Sequence, residues 1–379
     1  MAPHEYHIGL ISGTSVDAID CALGDFSGAT PVLVASHSEP MPADLRQRLL
    51  AHCSADVTTL PALGRMDVEL GERFAAAVLQ MLDNNGLSPR DITTIGSHGQ
   101  TLYHSPDGDF PFTLQIADPT IIAARTGIRT VADFRRMDMA LGGQGAPLAP
   151  LFHQAAFHNP EHRRAVLNLG GIANLTFLPA SREEPVSGLD TGPASALMDG
   201  WILKHQGKAY DSDGRWARSG SVHTDLLQHL LSDPYFVRPA PKSTGREYFS
   251  STWLDDRLRR TGLDSLPPAD VQATLLELSA RTVIEGLRFG EARPEQLVVC
   301  GGGGRNGALM QRLRELARDI DVIDSGELGI PPDWVEGMTF AWLARRRWNR
   351  QAVDCTRLTG AASPALLGGI YEPPASDGE

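Results

Sequence analysis

Ile8-Gly9-Leu10-Ile11-Ser12-Gly13-Thr14-Ser15-Val16-Asp17-Ala18-Ile19-Asp20 runs from an apolar stretch through a polar, glycine-bearing turn into a second apolar stretch. Val166-Leu167-Asn168-Leu169-Gly170-Gly171-Ile172-Ala173-Asn174-Leu175-Thr176-Phe177 repeats the arrangement in a later part of the chain. Both read as β-hairpins: Tyr6 to Ile11 and Ile19 to Phe26 for the first, residues 165–178 for the second. Glycine has no Cβ, so the N–H groups of such turns can close on a phosphate. A third element, Leu297-Val298-Val299-Cys300 followed by Gly301, Gly302, Gly303 and Gly304 and then a helical pattern, suits a nucleoside packed against bare backbone. Two hairpins in separate halves and one such element point to a nucleotide in a cleft between two lobes.

Outward from the hairpins, strands and helices alternate. Helical spacing covers Pro40–Leu50 and Leu60–Asn85, the latter with Leu60, Leu63, Val68, Leu70, Phe74, Val78, Leu79 and Leu82 as its apolar positions. Ile92–Ile95 reads as a short buried strand, and Gly96-Ser97-His98-Gly99-Gln100 as a polar loop after it. Ile128–Ala132 is a strand that runs into Asp133-Phe134-Arg135, and the glycine- and proline-rich stretch 138–150 is a candidate crossover. Further helices are expected at about 193–206, 221–232, 270–290, 308–318 and 335–347. The class is therefore α/β. A hairpin at the start of each half separates it from a purely parallel doubly wound sheet, and the second hairpin repeats the first in topology, not in residue identity. The expected lobes are 1–133 and 134–354, with the segment from about 355 to 379 packing back on the first.

A chain of 379 residues suits two domains. Its 46 acids against 34 bases give a net charge of −12, a poor basis for non-specific nucleic-acid binding. The run Arg345-Arg346-Arg347 could pass for a nucleic-acid patch, but at a helix C-terminus three arginines more often offset the dipole and solvate the surface. Cys21, Cys53, Cys300 and Cys355 are scattered, which argues against a zinc knuckle or a disulfide scaffold. With no apolar run of 18 residues and no leader pattern in Met1–Tyr6, a soluble cytoplasmic protein without membrane partners is expected.

The candidate chemistry sits in turns. Gly13-Thr14-Ser15 offers hydroxyls and N–H groups to a phosphate, with Asp17 placed to hold Mg²⁺ through water; the alternative is an ordinary β-turn. Gly170, Gly171 and Asn174 form either a second phosphate turn or a simple hairpin. Asp190, in Gly188-Leu189-Asp190-Thr191-Gly192-Pro193, is either a general base that activates water or an N-cap for the helix after it. His98 is a substrate contact or a loop hydrogen-bonder, while Arg135 and Glu336 suit a carboxylated sugar or a structural ion pair. Gly302, Gly304 and Gly307 spell Gly-x-Gly-x-x-Gly, with Asp321 and Asp324 beyond, which would suit a dinucleotide oxidoreductase; too few βα units follow for that fold. No P-loop, HExxH or Gly-x-Ser-x-Gly occurs.

Taken together, these segments resemble the anhydro-N-acetylmuramic acid kinase family of the actin/hexokinase/Hsp70-like ATPases. The likeness also runs through Gly96–Thr101, Ala132–Arg135, Gly142–Leu148 and Val335–Trp342, and spans about residues 8 to 345. It implies a two-lobed actin/hexokinase-like α/β fold with ATP in an interdomain nucleotide cleft. The implied reaction opens the 1,6-anhydro ring of anhydro-N-acetylmuramic acid with water and phosphorylates O6, in peptidoglycan recycling. Residue by residue, Gly13, Thr14, Ser15, Val16, Asp17, Ala18, Ile19 and Asp20 match the family's ATP-phosphate motif, and Asp190 its catalytic Asp. A homodimer is also implied. Ala18 and Ser195 depart from the usual Gly and Asn, and Gly337 and Thr339 from the usual Ala, which touches fine substrate contacts only. A chaperone-like reading of the same fold would call for a long C-terminal peptide-binding region, and none is expected here.

Overall fold

The first hairpin forms as its sequence predicts, with β1 (Tyr6–Ser12) antiparallel to β2 (Ala18–Asp25) and Leu10 opposite Cys21. The computed structural model describes residues 4–53, 57–240 and 242–375; residues 1–3, read above for a leader, and 376–379, at the end of the expected returning segment, lie outside them. Two units result, Met1–Ala156 with Trp334–Glu379, and Phe157–Asp333.

In the first unit β3 (Val32–Pro40) extends the hairpin beyond β2. On the other side of β1 lies parallel β4 (Thr94–Ser105), which folds back through β5 (Phe112–Ile116), and then parallel β6 (Thr130–Ala132). The strand Gly369–Tyr371 closes that edge, antiparallel to β6. In the second unit β7 (Arg164–Leu169), β8 (Ile172–Leu178) and β9 (Ser187–Pro193) run antiparallel in succession. Parallel to β7 lies β10 (Gln296–Cys300), and parallel to that β11 (Asp321–Asp324). Both sheets thus share one plan, β3-β2-β1-β4-β6 and β9-β8-β7-β10-β11. The internal repeat is real at the level of topology, and it makes the chain a two-unit α/β protein.

Helices cover the sheets where apolar spacing allows. Leu60–Asn84 starts at Thr59, whose Oγ1 accepts from the Ala62 N–H, and it stops before Asn85 and left-handed Gly86. It buries Met66, Leu70, Phe74, Val78 and Met81 against the first sheet's core, so its buried stripe excludes Leu60, Val68 and Leu79, which stay exposed. In the second unit Pro268–Gly286 is buried along most of its length, as the central helix of that core.

The division between units differs from the expected 133/134 and 354/355. Residues 134–156 stay with the first unit because Asp138, buried, accepts from the Gly145 N–H and the Thr359 hydroxyl, both at 2.7 Å. The returning segment starts at Trp334 because the helix Val335–Trp348 lies directly on the backbone of β1 and β4. A Cβ on Gly9 would stand 1.8 Å from the Gly337 carbonyl oxygen, and one on Gly96 2.1 Å from that of Phe340. No side-chain rearrangement relieves a collision with backbone, so glycine is required at both positions.

We therefore expect Gly9→Ala to lower the unfolding free energy by about 2 kcal/mol or more, read as a drop in the urea midpoint. An unchanged midpoint would show that the helix can move off the strand.

Candidate active site

Asp190 does not sit in a turn. It lies inside β9, opposite Asn174 of β8, where a register shift between Ala173 and Asn174 interrupts the regular ladder. The helix after it takes Ala194 as N-cap and receives no side-chain cap bond, so the capping alternative falls away. The Asn174 amide donates to Asp190 Oδ1, and the Thr244 N–H donates to Oδ2 at 2.9 Å. The Asp190 N–H donates to the Lys242 carbonyl at 3.0 Å, and the Tyr235 hydroxyl donates to the Asp190 carbonyl at 2.7 Å. Burial raises the carboxyl's pKa, aided by Glu247, while the Thr244 and Asn174 hydrogen bonds and Lys242 pull it back; the net shift is upward. A half-buried carboxylate with an upward shift, held in one orientation, is suited to take a proton.

Asn174, expected at a phosphate, turns its amide onto Asp190 because the strand register puts the two side chains opposite each other. Gly170 and Gly171 form the β7–β8 turn, and their carbonyls accept from Ser195, Ala194 and Ala196 at the start of the helix Ser195–Gln206. The glycine run packs against the base of the same turn: a Cβ on Gly301 would meet Leu169 O at 2.8 Å, and one on Gly303 would meet it at 2.9 Å. Gly302–Arg305 is a short 3₁₀ turn, and Asn306 caps the helix Gly307–Leu316. Gly170, Gly171, Gly301, Gly302, Gly303 and Gly304 are thus brought beside one another. Of the two acids beyond the Gly-x-Gly-x-x-Gly, Asp324 accepts from the Gly326 N–H at 2.7 Å, and Asp321 from the Gln296 amide at 3.2 Å.

Sequence reading missed the stretch that holds Asp190 from outside its sheet, Lys242-Ser243-Thr244-Gly245-Arg246. It is anchored through Asp233, which is buried and accepts from the Tyr235 N–H, Tyr248, Trp253 and Arg257 at 2.6 to 3.0 Å. Burial alone would raise the Asp233 pKa; the hydrogen bonds from Tyr235, Trp253 and Tyr248 and the charge of Arg257 outweigh it and hold the group below its ordinary value. The only signal in the sequence was a polar, glycine-bearing segment between helical patterns.

The first unit carries the other candidates. In the turn after β1, Val16 is buried at a φ of 53°, a left-handed conformation that a β-branched residue adopts only under strain. The Thr14 and Ser15 N–H groups find no acceptor among the described residues. Ala18, Ile19 and Asp20 belong to β2. Beside the turn, Ser12 is opposite Gln100. His98 is on β4, not on a loop, and is buried against Phe340. Arg135 donates to His98 Nε2 from Nε at 3.1 Å and from Nη2 at 2.9 Å, and from Nη1 to the Gly145 carbonyl at 2.8 Å. Arginine only donates, so Nε2 is the acceptor and the ring proton sits on Nδ1, which faces the Gly99 carbonyl at 3.1 Å. Burial, then the Arg135 charge, hold the His98 pKa far below its usual value. His98 is a neutral support for Arg135. Glu336, at the start of the helix Val335–Trp348, sets its negative charge against Arg135.

For a divalent cation the donors are sparse. Asp17 is exposed and pairs with Arg46 at 3.0 Å, and no cluster of three metal-ligating side chains occurs among the described residues. That set would fit Mg²⁺ only as an ion brought in by nucleotide phosphates and water.

The sequence profile of a family described as "Anhydro-N-acetylmuramic acid kinase" matches residues 5–373. Curated relatives of that name include one from Pasteurella multocida, 50% identical over 97% of this chain and 96% of its own. Another, from Saccharophagus degradans, is 51% identical over 97% of this chain and 98% of its own. Among solved structures, the activator of the 2-hydroxyisocaproyl-CoA dehydratase from Clostridium difficile aligns at 13% identity and a TM-score of 0.45, covering 91% of this chain and 96% of its own.

Asp233→Ala should cost about 3 kcal/mol of stability near neutral pH, because it removes the buried acceptor of the Tyr235 N–H, Tyr248, Trp253 and the half-buried Arg257 guanidinium. The Asp233 pKa is depressed by folding, so its contribution is present above the unfolded pKa and lost as pH falls. Urea melts at pH 7 and pH 3 should show the gap between wild type and variant closing in acid; an equal gap at both would contradict the assignment.

Proposed function

We infer the reaction from family membership: the chain belongs to the anhydro-N-acetylmuramic acid kinase family, so it is a carbohydrate kinase that phosphorylates anhydro-N-acetylmuramic acid with ATP. The observation that carries the chemical route is the Asp190 carboxylate, oriented by Asn174 and Thr244. Asp190 takes a proton from a water that attacks the anomeric carbon. The C1–O6 bond breaks, its electron pair goes to O6, and O6 attacks the γ-phosphorus of ATP as ADP leaves. One base thereby drives both bond changes.

Arg135, supported by His98 and Gly145, binds the sugar's carboxylate, and Glu336 accepts from a sugar hydroxyl. The turn Gly13-Thr14-Ser15 and the turn Gly170-Gly171 receive phosphates, and Gly301 to Gly304 receive the adenosine. Mg²⁺, when carried in with ATP, supplies neutralisation of phosphate charge. The reading includes a homodimer acting in the cytoplasm on cell-wall turnover products. Support for these last points is the family resemblance.

Two experiments test the route. Asp190→Asn should leave binding of an ATP analogue within about threefold and reduce kcat by about 10³ or more, and normal turnover by the variant would remove Asp190 from the base role. The acid limb of the kcat profile should lie above the ordinary carboxylate value, because burial raises the Asp190 pKa and the base must be ionised to act. Asn174→Leu deletes a hydrogen bond to the ionised form, so the limb should move further up in pH. A downward move, or none, would contradict the clamp.

A further inference from the structure

Arg246 lies across the second glycine turn. A Cβ on Gly171 would stand 2.5 Å from Arg246 Nε and 2.7 Å from Nη2, so the guanidinium rests directly on the backbone of the turn. The exposed guanidinium makes no hydrogen bond or ion pair with any described residue. In the same unit Arg257, Arg305 and Arg312 are each held by a carboxylate. The segment that carries Arg246 is fixed at its other end to the base: Thr244 donates its N–H to Asp190 Oδ2 at 2.9 Å. The Thr244 hydroxyl is buried without a partner, and a buried hydroxyl left unpaired costs free energy unless a ligand or water completes it. One short stretch therefore presents a free cation at the turn, a buried hydroxyl without a partner, and the N–H that holds the carboxylate.

We propose that Arg246 is a direct ligand of the phosphoryl group that ATP transfers, with the Gly170-Gly171 turn beneath it. The proposal rests on the kinase reading above and extends it to a residue outside the recognised motifs. A planar, permanently charged fork matches phosphoryl oxygens, and charge that redistributes toward the leaving β-phosphate in a loose transition state is stabilised by a guanidinium already in place. Tethering the segment to Asp190 links phosphate recognition to base orientation: the stretch that grips the nucleotide also aims the group that activates water.

The test compares full-length wild type, Arg246→Ala and Arg246→Lys. Calorimetric titration uses ADP and a β,γ-imido analogue of ATP, each with Mg²⁺, and steady-state kinetics use ATP and 1,6-anhydro-N-acetylmuramic acid. Arg246→Ala should weaken the triphosphate analogue about tenfold or more while ADP changes less than threefold, and should lower kcat about 10². The KM for the sugar and the acid limb set by Asp190 should not move, and Arg246→Lys should recover part of kcat. Arg246 is exposed, so both variants should keep the wild-type melting temperature. Equal loss of ADP and analogue affinity, or kcat within threefold of wild type, overturns the proposal. If the wild type fails to turn over the sugar, the kinase reading fails, and the ADP-against-analogue comparison still decides Arg246.

Discussion

A carboxylate can stay ionised and oriented within a sheet only if donors are brought to it. Asp190 is placed so, and two donors are brought to it. One donor, Asn174, comes from the neighbouring strand through an interruption in the β8–β9 register; the other, the Thr244 N–H, comes from a segment 54 residues further along the chain. Two donors are enough to favour the anion and too few to suppress its basicity, and burial works against them; the balance leaves the pKa raised. Buried Asp233 then anchors the segment through Tyr235, Tyr248, Trp253 and Arg257.

The first unit solves a different problem, the presentation of a cation. Arg135 is only half exposed, and two of its nitrogens are met by His98 Nε2 rather than by a carboxylate. A neutral acceptor fixes the guanidinium's direction without adding a negative charge of its own. Burial pins His98 in the neutral state, so this support does not change across the physiological pH range. Glycines at 9 and 96 let the helix Val335–Trp348 settle on the sheet, and the same seating brings Glu336 to the Arg135 side of the unit.

What was legible in the sequence was local. Both hairpins, the strand before Gly301 and the long helices follow from apolar spacing and turn residues a few positions apart, and the shared strand order bears out the repeat in topology. What was not legible depends on distant partners. His98 looked like a loop residue because the polar stretch Gly96–Gln100 breaks the apolar alternation; it is a strand because β1 pairs alongside it. Asp190 looked like a turn or cap for the same reason, since Gly188, Gly192 and Pro193 are turn-like in composition yet pair with β8. Leu60, Val68 and Leu79 fit a helical stripe on paper, but only the tertiary contact decides which side of a long helix is covered. Thr244 and Arg246 carry no motif at all, and their position becomes meaningful only when the fold sets them against Asp190 and Gly171.

The most direct test of the account is where solvent oxygen goes. Wild-type protein with ATP, Mg²⁺ and 1,6-anhydro-N-acetylmuramic acid would be run in ¹⁸O-labelled water and the product fragmented by mass spectrometry. If Asp190 activates water against the anomeric carbon while O6 takes the phosphate, the phosphorylated sugar carries one label, at its anomeric oxygen, and none on phosphate. An unlabelled sugar phosphate, or label found only on released inorganic phosphate, would contradict the coupled route.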